Sequence, residues 1–530
     1  MYFAQNTSKK RNSDLPKRHL SLLIVFLILS ILIPVCYSIY TKEIWEDSLI
    51  TLRYSKNLID GNGLVYNSGE RVHGFTSPLG MLLLAFCYLI THKANYFYVF
   101  WAYRIICISV FASACSLLLS IFLKRRENIL IPIWMGVLFI FEAKSVAFTI
   151  NGMETVFMLF FLAAYFYIIS DNLADNWISA GICWAGLMWT RPDGCVYIMA
   201  LAFSHILYSG LPKRENLAMH LKIAAVCTVL YLPWFIFSWS YFGSPIPHTI
   251  LAKLHYPVLL ALPEKIRLLL DKVSGPSYYY FGQRSWPFWF ESFFLSTTVF
   301  AIFYWIFPSK DRFIKIISLS CFFVSLYLFS MNMSFPWYFP PLKLMSSVVL
   351  IQGLFGLMRK RARALPFIIL ILFCGTQIYV FVQSAIPRRV YQIEIEEGNR
   401  KLIGLWLKNH MLMSDRVFLE PIGYIGYFSE RKIIDYPGLI SPEIVRLMNK
   451  DKSLDFHTLV PKVQPEWLVI RYGDSNEIFK QEYVRKNYSE AKRFDVSGRL
   501  GKYKNIAGIE PLLFDTRFII LQKISNARIE

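Results

Sequence analysis

Apolar and polar positions divide the chain into two regimes. From Leu20 to about Gln383, apolar runs of roughly 17 to 25 residues recur between short polar breaks, the length a helix needs to cross a hydrocarbon core of ~30 Å. Eleven are candidate spans, at roughly 20–40, 97–123, 129–149, 154–170, 175–190, 195–209, 219–242, 286–307, 313–331, 338–358 and 364–384. A twelfth, SPLGMLLLAFCYLI after Thr76, is ambiguous by pattern alone. Between the first two runs, LITLRYSKNLIDG places Leu49, Ile50, Leu52, Leu58 and Ile59 at the spacing of a short amphipathic helix lying in the membrane interface. After Pro387 the period changes. EIEEGNRKLIGLWLKNH has helical spacing, RVFLE and KIIDY read as strands, PEIVRLMNK as a helix, and PEWLVIRY and RFIILQKI as further strands. The pattern predicts an α-helical multispan membrane protein of about eleven transmembrane helices with a C-terminal soluble α/β domain. The expected units are a basic N-terminus at 1–19, a membrane domain at 20–386 with its first outer loop at 41–96, and the soluble domain at 387–530.

Composition supports this division. The 530 residues are 55% hydrophobic and 17% aromatic, which places the chain in the membrane class and not among multidomain soluble proteins. A formal charge of +20 would suit a nucleic-acid partner if it formed one surface, but the Lys and Arg gather in short clusters between apolar runs, where they set orientation. No nucleic acid is expected. The nine Cys lie between Cys36 and Cys374 with no CxxC, which argues against a disulfide scaffold or zinc ribbon. The His residues show no HExxH spacing, so no protein-caged metal is expected; a divalent cation, Mg or Mn, held by carboxylate together with a substrate phosphate stays compatible.

Charge also selects a topology. The N-terminal MYFAQNTSKKRNSDLPKRH has the basic flank of a signal peptide, but the apolar part that follows is long enough to span and lacks a clean cleavage pattern, so an uncleaved first helix with a cytoplasmic N-terminus is expected. If SPLGMLLLAFCYLI crossed, Lys124 to Arg126, the Lys213 and Arg214 loop, the Lys310 and Arg312 loop and the MRKRAR turn after Leu357 would all face outward. If it lies in the outer interface or re-enters, all of them share the side of the N-terminus, as the positive-inside rule requires. Two features oppose this reading: the acidic turn SDNLADN becomes cytoplasmic, and the outer segment 243–283 carries several basic residues. Acidic residues contribute little to orientation, and the outer segment is long and broken by Pro. The soluble domain then lies outside. The stretches WEDS, HGFTSP, NGMET, WTRPDG, SPIPHTILAKLH and FPWYFPP fall at outer ends of spans, with the ionisable Arg104, Glu142, Lys144, Glu154, Arg191, Glu291 and Lys343 nearby. Charges at such depth are costly unless they face one another or a wet cavity, so one polar cavity open to the outer leaflet is expected.

Several residues are candidates for chemistry there. A carboxylate near the headgroup boundary suits a general base, as Glu46 or Asp47 would be, whereas the structural alternative is a solvated pair neutralised by a neighbour such as Arg53. Arg191, with Asp193 two residues on, either anchors a helix end by snorkelling or offers its planar guanidinium to a lipid phosphate. His248 and Lys253, joined by Lys144, could complete an anion site; a lone loop His is otherwise a surface residue. Trp337 and Tyr338 in FPWYFPP read as an aromatic belt or as a sugar platform. The tail has no Gly-rich phosphate loop, paired Cys or Ser/His/Asp arrangement and reads as a packing or acceptor-docking module.

As a set, these stretches carry a resemblance. WEDSLITLRYSKNLIDGNGLVYNSGERVHGFTSPL, NGMET, TRPDG, the PHT and AK of the loop after Pro247, and IGYIGYFSERKIIDYPGL, in that order, resemble the bacterial multispan glycosyltransferases of the GT-C type that use polyprenyl-phosphate sugars. The chain is similar in particular to the mycobacterial terminal arabinofuranosyltransferase family, from about Trp45 to Leu439. The resemblance implies an enzyme of the bacterial inner membrane that transfers a hexosyl or pentosyl group, with inversion, from a polyprenyl-phosphate-linked donor to a glycan or lipid acceptor on the extracytoplasmic face. Asp47 and Glu46 stand where the family's paired acids serve as catalytic base; Glu stands first where the pattern has Asp, so which of the two is the base stays open. Arg53, Lys144, Glu154, Arg191, Asp193, His248, Lys253, Trp337 and Tyr338 are the expected contacts to donor phosphate and substrate. Residues 265–336 and the tail match poorly, so the acceptor is not named. The alternative is a transporter or flippase for a polyprenyl-linked sugar, which calls for a cytoplasmic access route and often an inverted repeat, neither of which is visible. A third reading, a non-catalytic envelope scaffold, would leave Asp47 and Arg191 paired structurally with no open cavity.

Overall fold

The computed structural model describes residues 17–125, 130–254, 288–331, 335–358, 364–506 and 509–524. The basic N-terminus as far as residue 16, Arg126, most of the outer segment 243–283, the basic turn at 359–363 and the side chain of Glu291 lie outside the described residues.

Each apolar run becomes helical, but the lengths differ. α1 (Lys17–Thr41), α4 (Tyr96–Lys124) and α10 (Lys213–Phe242), with the later helices Arg312–Ser330, Phe339–Met358 and Ala364–Val390, are long and apolar. Among the described residues six helical stretches can cross a membrane by length and composition, and seven if a bent pair counts as one. That pair is α5 (Leu130–Ile140) and α6 (Ala143–Ile150), which meet at 54°. The break has a local cause: Glu142 accepts from the N–H groups of Lys144 and Ser145, at 3.4 and 2.6 Å, and so starts a new helix. α7 (Thr155–Asp171), α8 (Trp177–Thr190), α9 (Gly194–Tyr208) and the helix Phe288–Phe303 are shorter. α4 packs on α1 and α7, α8 on α7 and α10, and α9 on Arg312–Ser330. At one end of the bundle Arg125 pairs with Asp311 at 2.6 Å and Arg312 donates to the Ser209 carbonyl at 2.9 Å, so three basic loops meet. All nine Cys are free.

The first loop expected to lie outside, residues 41–96, is folded and buried. α2 (Glu46–Ile59) is the predicted amphipathic helix, but Leu49, Leu52 and Tyr54 have no exposure, and the helix packs against α3 (Pro78–Ile90) and the helix Tyr424–Ser429. Its apolar face therefore meets protein where an interfacial helix would meet lipid. α3 has 13 residues, about 20 Å of rise at ~1.5 Å each, short of a membrane core. Ser77 caps it by accepting from the Gly80 N–H at 3.0 Å.

The C-terminal domain carries a five-stranded sheet of order β2-β1-β3-β5-β4. β1 (Arg416–Leu419) pairs in parallel with β2 (Lys432–Asp435) and with β3 (Trp467–Arg471). β5 (Arg517–Lys523) runs antiparallel to β3 and to β4 (Tyr488–Asp495). Side chains alternate between two cores. Val417, Leu419, Val469 and Ile520 join Ile403, Leu407 and Ile425, whereas Phe418, Leu468, Ile470 and Ile519 join the helices Pro442–Lys450 and Phe456–Val463. The first core also takes in Tyr54, Tyr66 and Phe75, so one sheet face packs toward the outer loop. The domain is further tied to the bundle by helix: Ala364–Val390 continues through a π-helical stretch, Tyr391–Arg400, into Lys401–His410. The expected boundary at 386/387 thus falls inside a helix.

Candidate active site: a cavity between the bundle and the C-terminal domain

The segment before α2 is fixed at both ends of its backbone. Ile44 donates to the Gln392 side chain at 2.9 Å, and Trp45 donates to the Asn151 carbonyl at 2.8 Å, while the Trp45 ring meets Phe148 and Trp337 edge-on. Glu46 and Asp47 consequently occupy the first turn of α2, where the helix dipole favours negative charge. They border a cavity of about 460 Å³ enclosed by Thr76 and Ser77, Met153 and Glu154, Thr249 and Lys253, Phe335 to Tyr338, and loops of the C-terminal domain.

The two carboxylates differ in what holds them. Glu46 accepts from the backbone N–H of Gly423 and of Tyr424, the latter at 3.3 Å, and lies 3.4 Å from Arg400. A Cβ on Gly423 would come within 2.0 Å of the Glu46 carbonyl, so only glycine lets the two backbones meet. Asp47 makes no side-chain hydrogen bond or ion pair among the described residues and opens onto the cavity. Burial pushes its carboxyl above the ordinary aspartate range; the Lys253 ammonium opposes that shift and Glu154 adds to it. Burial also raises Glu46, against the pull of Arg400.

Lys253, on α11 (His248–Leu254), is the cation opposite Asp47. Its Nζ lies 4.8 Å from the Phe335 ring and 5.7 Å from the Trp337 ring, with no carboxylate in ion-pair range among the described residues. Arg191 is placed differently from the expected phosphate contact. It is buried, forks onto Asp193 at 2.9 and 3.2 Å, lies 3.8 Å from Glu154 and stacks 4.1 Å over Tyr338. Arg191 and Asp193 therefore stand behind the wall and orient Glu154 and Tyr338, which line it.

Three other expected contacts are also outside the lining. Arg53 donates to the carbonyls of Tyr66, Gly426 and Arg431 at 3.0, 2.6 and 2.8 Å, all away from the carboxylate pair. Lys144 is buried with its Nζ 5.4 Å from the Phe339 ring. His248 enters the site region through its backbone, donating to the His73 carbonyl at 2.8 Å. Of the deep ionisable residues whose side chains are described, only Glu154 lines the cavity; Arg104 caps the Ile150 carbonyl at 2.7 Å and Lys343 reaches Thr298 at 3.2 Å. The expectation of one cavity gathering nearly all of them is corrected: carbonyls hold Arg104, a hydroxyl holds Lys343, Lys144 lies by an aromatic face, Glu142 accepts from backbone N–H groups and Arg191 pairs with carboxylates.

The sequence reading missed the far wall. Arg400 pairs with Glu396 at 2.6 Å and with Asp515 at 2.7 Å, and Arg471 pairs with Asp515 at 2.7 Å and with Glu420 at 3.3 Å. Although burial opposes it, Arg400 and Arg471 hold Asp515 below the usual aspartate range. The i,i+4 spacing of Glu396 and Arg400 was visible in the chain; Asp515 carried no local signal. Glu43 and Arg388 close another edge with a buried bridge at 2.7 Å. No group of three or more His, Cys, Asp or Glu placed to hold a metal occurs among the described residues. Asp47 and Glu154 are the carboxylates that could share a divalent cation with a substrate phosphate.

A family model described as a domain of unknown function, DUF8728, matches residues 388–510. In sequence the chain is similar to the terminal beta-(1->2)-arabinofuranosyltransferases of Corynebacterium glutamicum and Mycobacterium tuberculosis, at 26% and 27% identity over 237 and 233 residues. Each match covers 40% of this chain and 33% or 35% of the relative, so the chain spans about a third of the length of these curated relatives. In fold it is similar to ArnT from Cupriavidus metallidurans in a crystal structure with undecaprenyl phosphate, with a TM-score of 0.50, 10% identity, and 96% of this chain and 98% of that one covered. The chain has the fold of GT-C membrane glycosyltransferases, and the resemblance to terminal arabinofuranosyltransferases expected from its motifs is found in its sequence relatives.

Proposed function

We propose that the protein is an integral-membrane glycosyltransferase that moves a sugar from a polyprenyl-phosphate donor to a hydroxyl of an envelope glycan or lipid, with inversion. One observation carries the reading: Asp47 lines the cavity with Lys253 and makes no side-chain hydrogen bond or ion pair among the described residues, while its neighbour Glu46 is held by two backbone N–H groups and Arg400. Asp47 is the base. It accepts the proton of the acceptor hydroxyl as that oxygen attacks the anomeric carbon from the face opposite the phosphate; the bond from anomeric carbon to phosphate oxygen breaks and the phosphate leaves as an anion. Lys253 stabilises that developing charge in a cavity of low dielectric. Trp337 and Tyr338 pack the sugar ring, and Glu154, oriented by Arg191, binds its hydroxyls. A Mg or Mn ion, if bound, supplies further charge stabilisation at the phosphate; the proton transfer described belongs to Asp47 alone. The sequence relatives and the undecaprenyl phosphate in the ArnT structure support the donor class.

The same reading includes the eleven-span topology, the division at 1–19, 20–386 and 387–530, and a cavity on the extracytoplasmic side of the bacterial inner membrane. The meeting of the loops of Arg125, Ser209 and Arg312 at one end of the bundle supports a shared cytoplasmic face. Donor turnover by purified protein tests the chemistry. Asp47→Asn is expected to slow transfer by ~10²- to 10⁴-fold, the usual cost of removing a general base. Wild-type turnover in Asp47→Asn would sink the mechanism. A flippase would instead move the labelled donor across vesicles with no new glycosidic bond.

A further inference from the structure

The three parallel strands of the C-terminal domain end at the cavity. Glu420 directly follows β1, Tyr436 follows β2 and Arg471 is the last residue of β3, and all three line the space that Asp47 faces. β1 lies between β2 on one side and β3 on the other, so the chain reverses its direction of growth there. Such a switch point opens a crevice at the carboxyl ends of the strands, where open α/β sheets bind ligands. The loop after β2 is also preshaped: the Asp435 carboxylate accepts from the N–H groups of Gly438, Leu439 and Ile440.

The charges at this crevice specify a ligand class. Both of its guanidiniums are spent, Arg471 on Asp515 and Glu420, and Arg400 on Asp515, Glu396 and Glu46. Among the described residues, four carboxylates thus surround these two guanidiniums, which disfavours phosphate and carboxylate groups beside them. Glu420 is the least committed member, with one contact at 3.3 Å among the described residues and a side chain 34% exposed. A partly exposed carboxylate beside an aromatic ring and a Pro-lined wall is the equipment for hydroxyl groups of a sugar ring.

We infer that the C-terminal domain supplies the acceptor subsite, a switch-point crevice in which Glu420 and Tyr436 bind an uncharged, hydroxyl-rich sugar and present one of its hydroxyls to Asp47. The inference rests on the transferase reading for the word acceptor, but the crevice and its preference for neutral sugars are measurable without turnover.

The test is saturation-transfer NMR on the full chain in nanodiscs, with octyl glycosides of arabinofuranose, galactose and mannose against their uronic-acid and phosphate counterparts. Neutral glycosides are expected to bind and anionic ones to bind at least tenfold more weakly. Glu420→Gln is expected to weaken neutral-glycoside binding by about tenfold, in line with loss of a charge-assisted hydrogen bond, while leaving undecaprenyl-phosphate binding unchanged. Tyr436→Phe, which removes only a hydroxyl, checks the crevice if Glu420→Gln folds poorly. Asp47→Asn separates the two readings: it should retain glycoside binding while losing transfer. Equal binding of neutral and anionic glycosides, or wild-type glycoside binding in both Glu420→Gln and Tyr436→Phe, overturns the subsite. Wild-type protein that binds neutral glycosides through Glu420 yet transfers nothing overturns the transferase reading and leaves the crevice standing.

Discussion

At the level of single residues, two adjacent acids with almost the same sequence context come to have different surroundings because of partners hundreds of positions away. Glu46 is clamped by the Gly423 and Tyr424 N–H groups and Arg400, and Asp47 is left to the cavity. The sequence showed the pair but not the clamp, since nothing local links Glu46 to Gly423. Two outcomes follow from the electrostatics. If Asp47 is the base, as proposed, it must be unprotonated to work, and burial raises its pKa, so transfer should rise with pH along a limb that lies above the usual aspartate range of about 4. Because Lys253 holds that pKa down, Lys253→Ala should move the limb to higher pH and lower the plateau; an unmoved limb in a pH–rate profile would dissociate Lys253 from Asp47. Gly423→Ala, which drives a methyl into the Glu46 carbonyl, should reduce kcat with little change in donor binding. Asp435 supplies a stability counterpart. Its pKa is pushed up to about 6 by burial, above the unfolded value, so the native state binds the extra proton and stability falls as pH rises from about 4 to 6. Asp435→Asn should flatten that slope in chemical unfolding measured across the window, the slope amounting to roughly 2–3 kcal/mol for a fully buried group.

At the level of elements, the dense polar stretch after the first helix finds its explanation in docking. Arg53 donates to three carbonyls of the outer loop and the C-terminal domain, the Tyr66 hydroxyl donates to the Ile422 carbonyl at 2.7 Å, and the Asn67 amide both accepts from the Ile433 N–H and donates to the Ile433 carbonyl. β2 is an edge strand, and Asn67 pairs its free side as another strand would. Asn67→Ala should speed amide hydrogen exchange in β2 well beyond that in β3; equal protection in both would remove Asn67 from this role. Periodicity made α2, β1, β2, β3 and β5 legible because each buries a regular set of side chains. β4 was missed since it is an exposed edge strand, YSEAKRFD, whose side chains are mostly solvated and carry no apolar alternation. The destination of the apolar face of α2 was also misread. Amphipathicity says that one side is buried and not whether lipid or protein buries it.

At the scale of the whole molecule, the cavity exists only because two folding units meet. Its near wall comes from the bundle and α2, and its far wall from Arg400, Glu420, Arg471 and Asp515. The motif resemblance reached the near wall because those residues sit in contiguous stretches. The far wall is assembled from positions 396 to 515 by the sheet, and no short window contains it. Asp515 bridges two guanidiniums in this interface, and Asp515→Asn removes that shared counter-charge while Arg400 keeps Glu396 and Arg471 keeps Glu420, so the bridge between them weakens without leaving either cation unpaired. Thermal unfolding in detergent should show earlier loss of the C-terminal domain, and unchanged melting would mean that the bridge is not part of what joins the units.

The unbroken helix from Phe367 to His410, 44 residues long, has one more implication. It acts as a threaded shaft whose phase and height aim the C-terminal domain at the bundle. Inserting a single residue near Ala385 would turn everything beyond it by about 100° and lift it by about 1.5 Å, swinging Arg400 off its mark, whereas seven residues would nearly restore the heading but raise the domain by about 10 Å. Neither splice reproduces both settings, so the distance between bundle and domain is under the same constraint as any single side chain in the cavity.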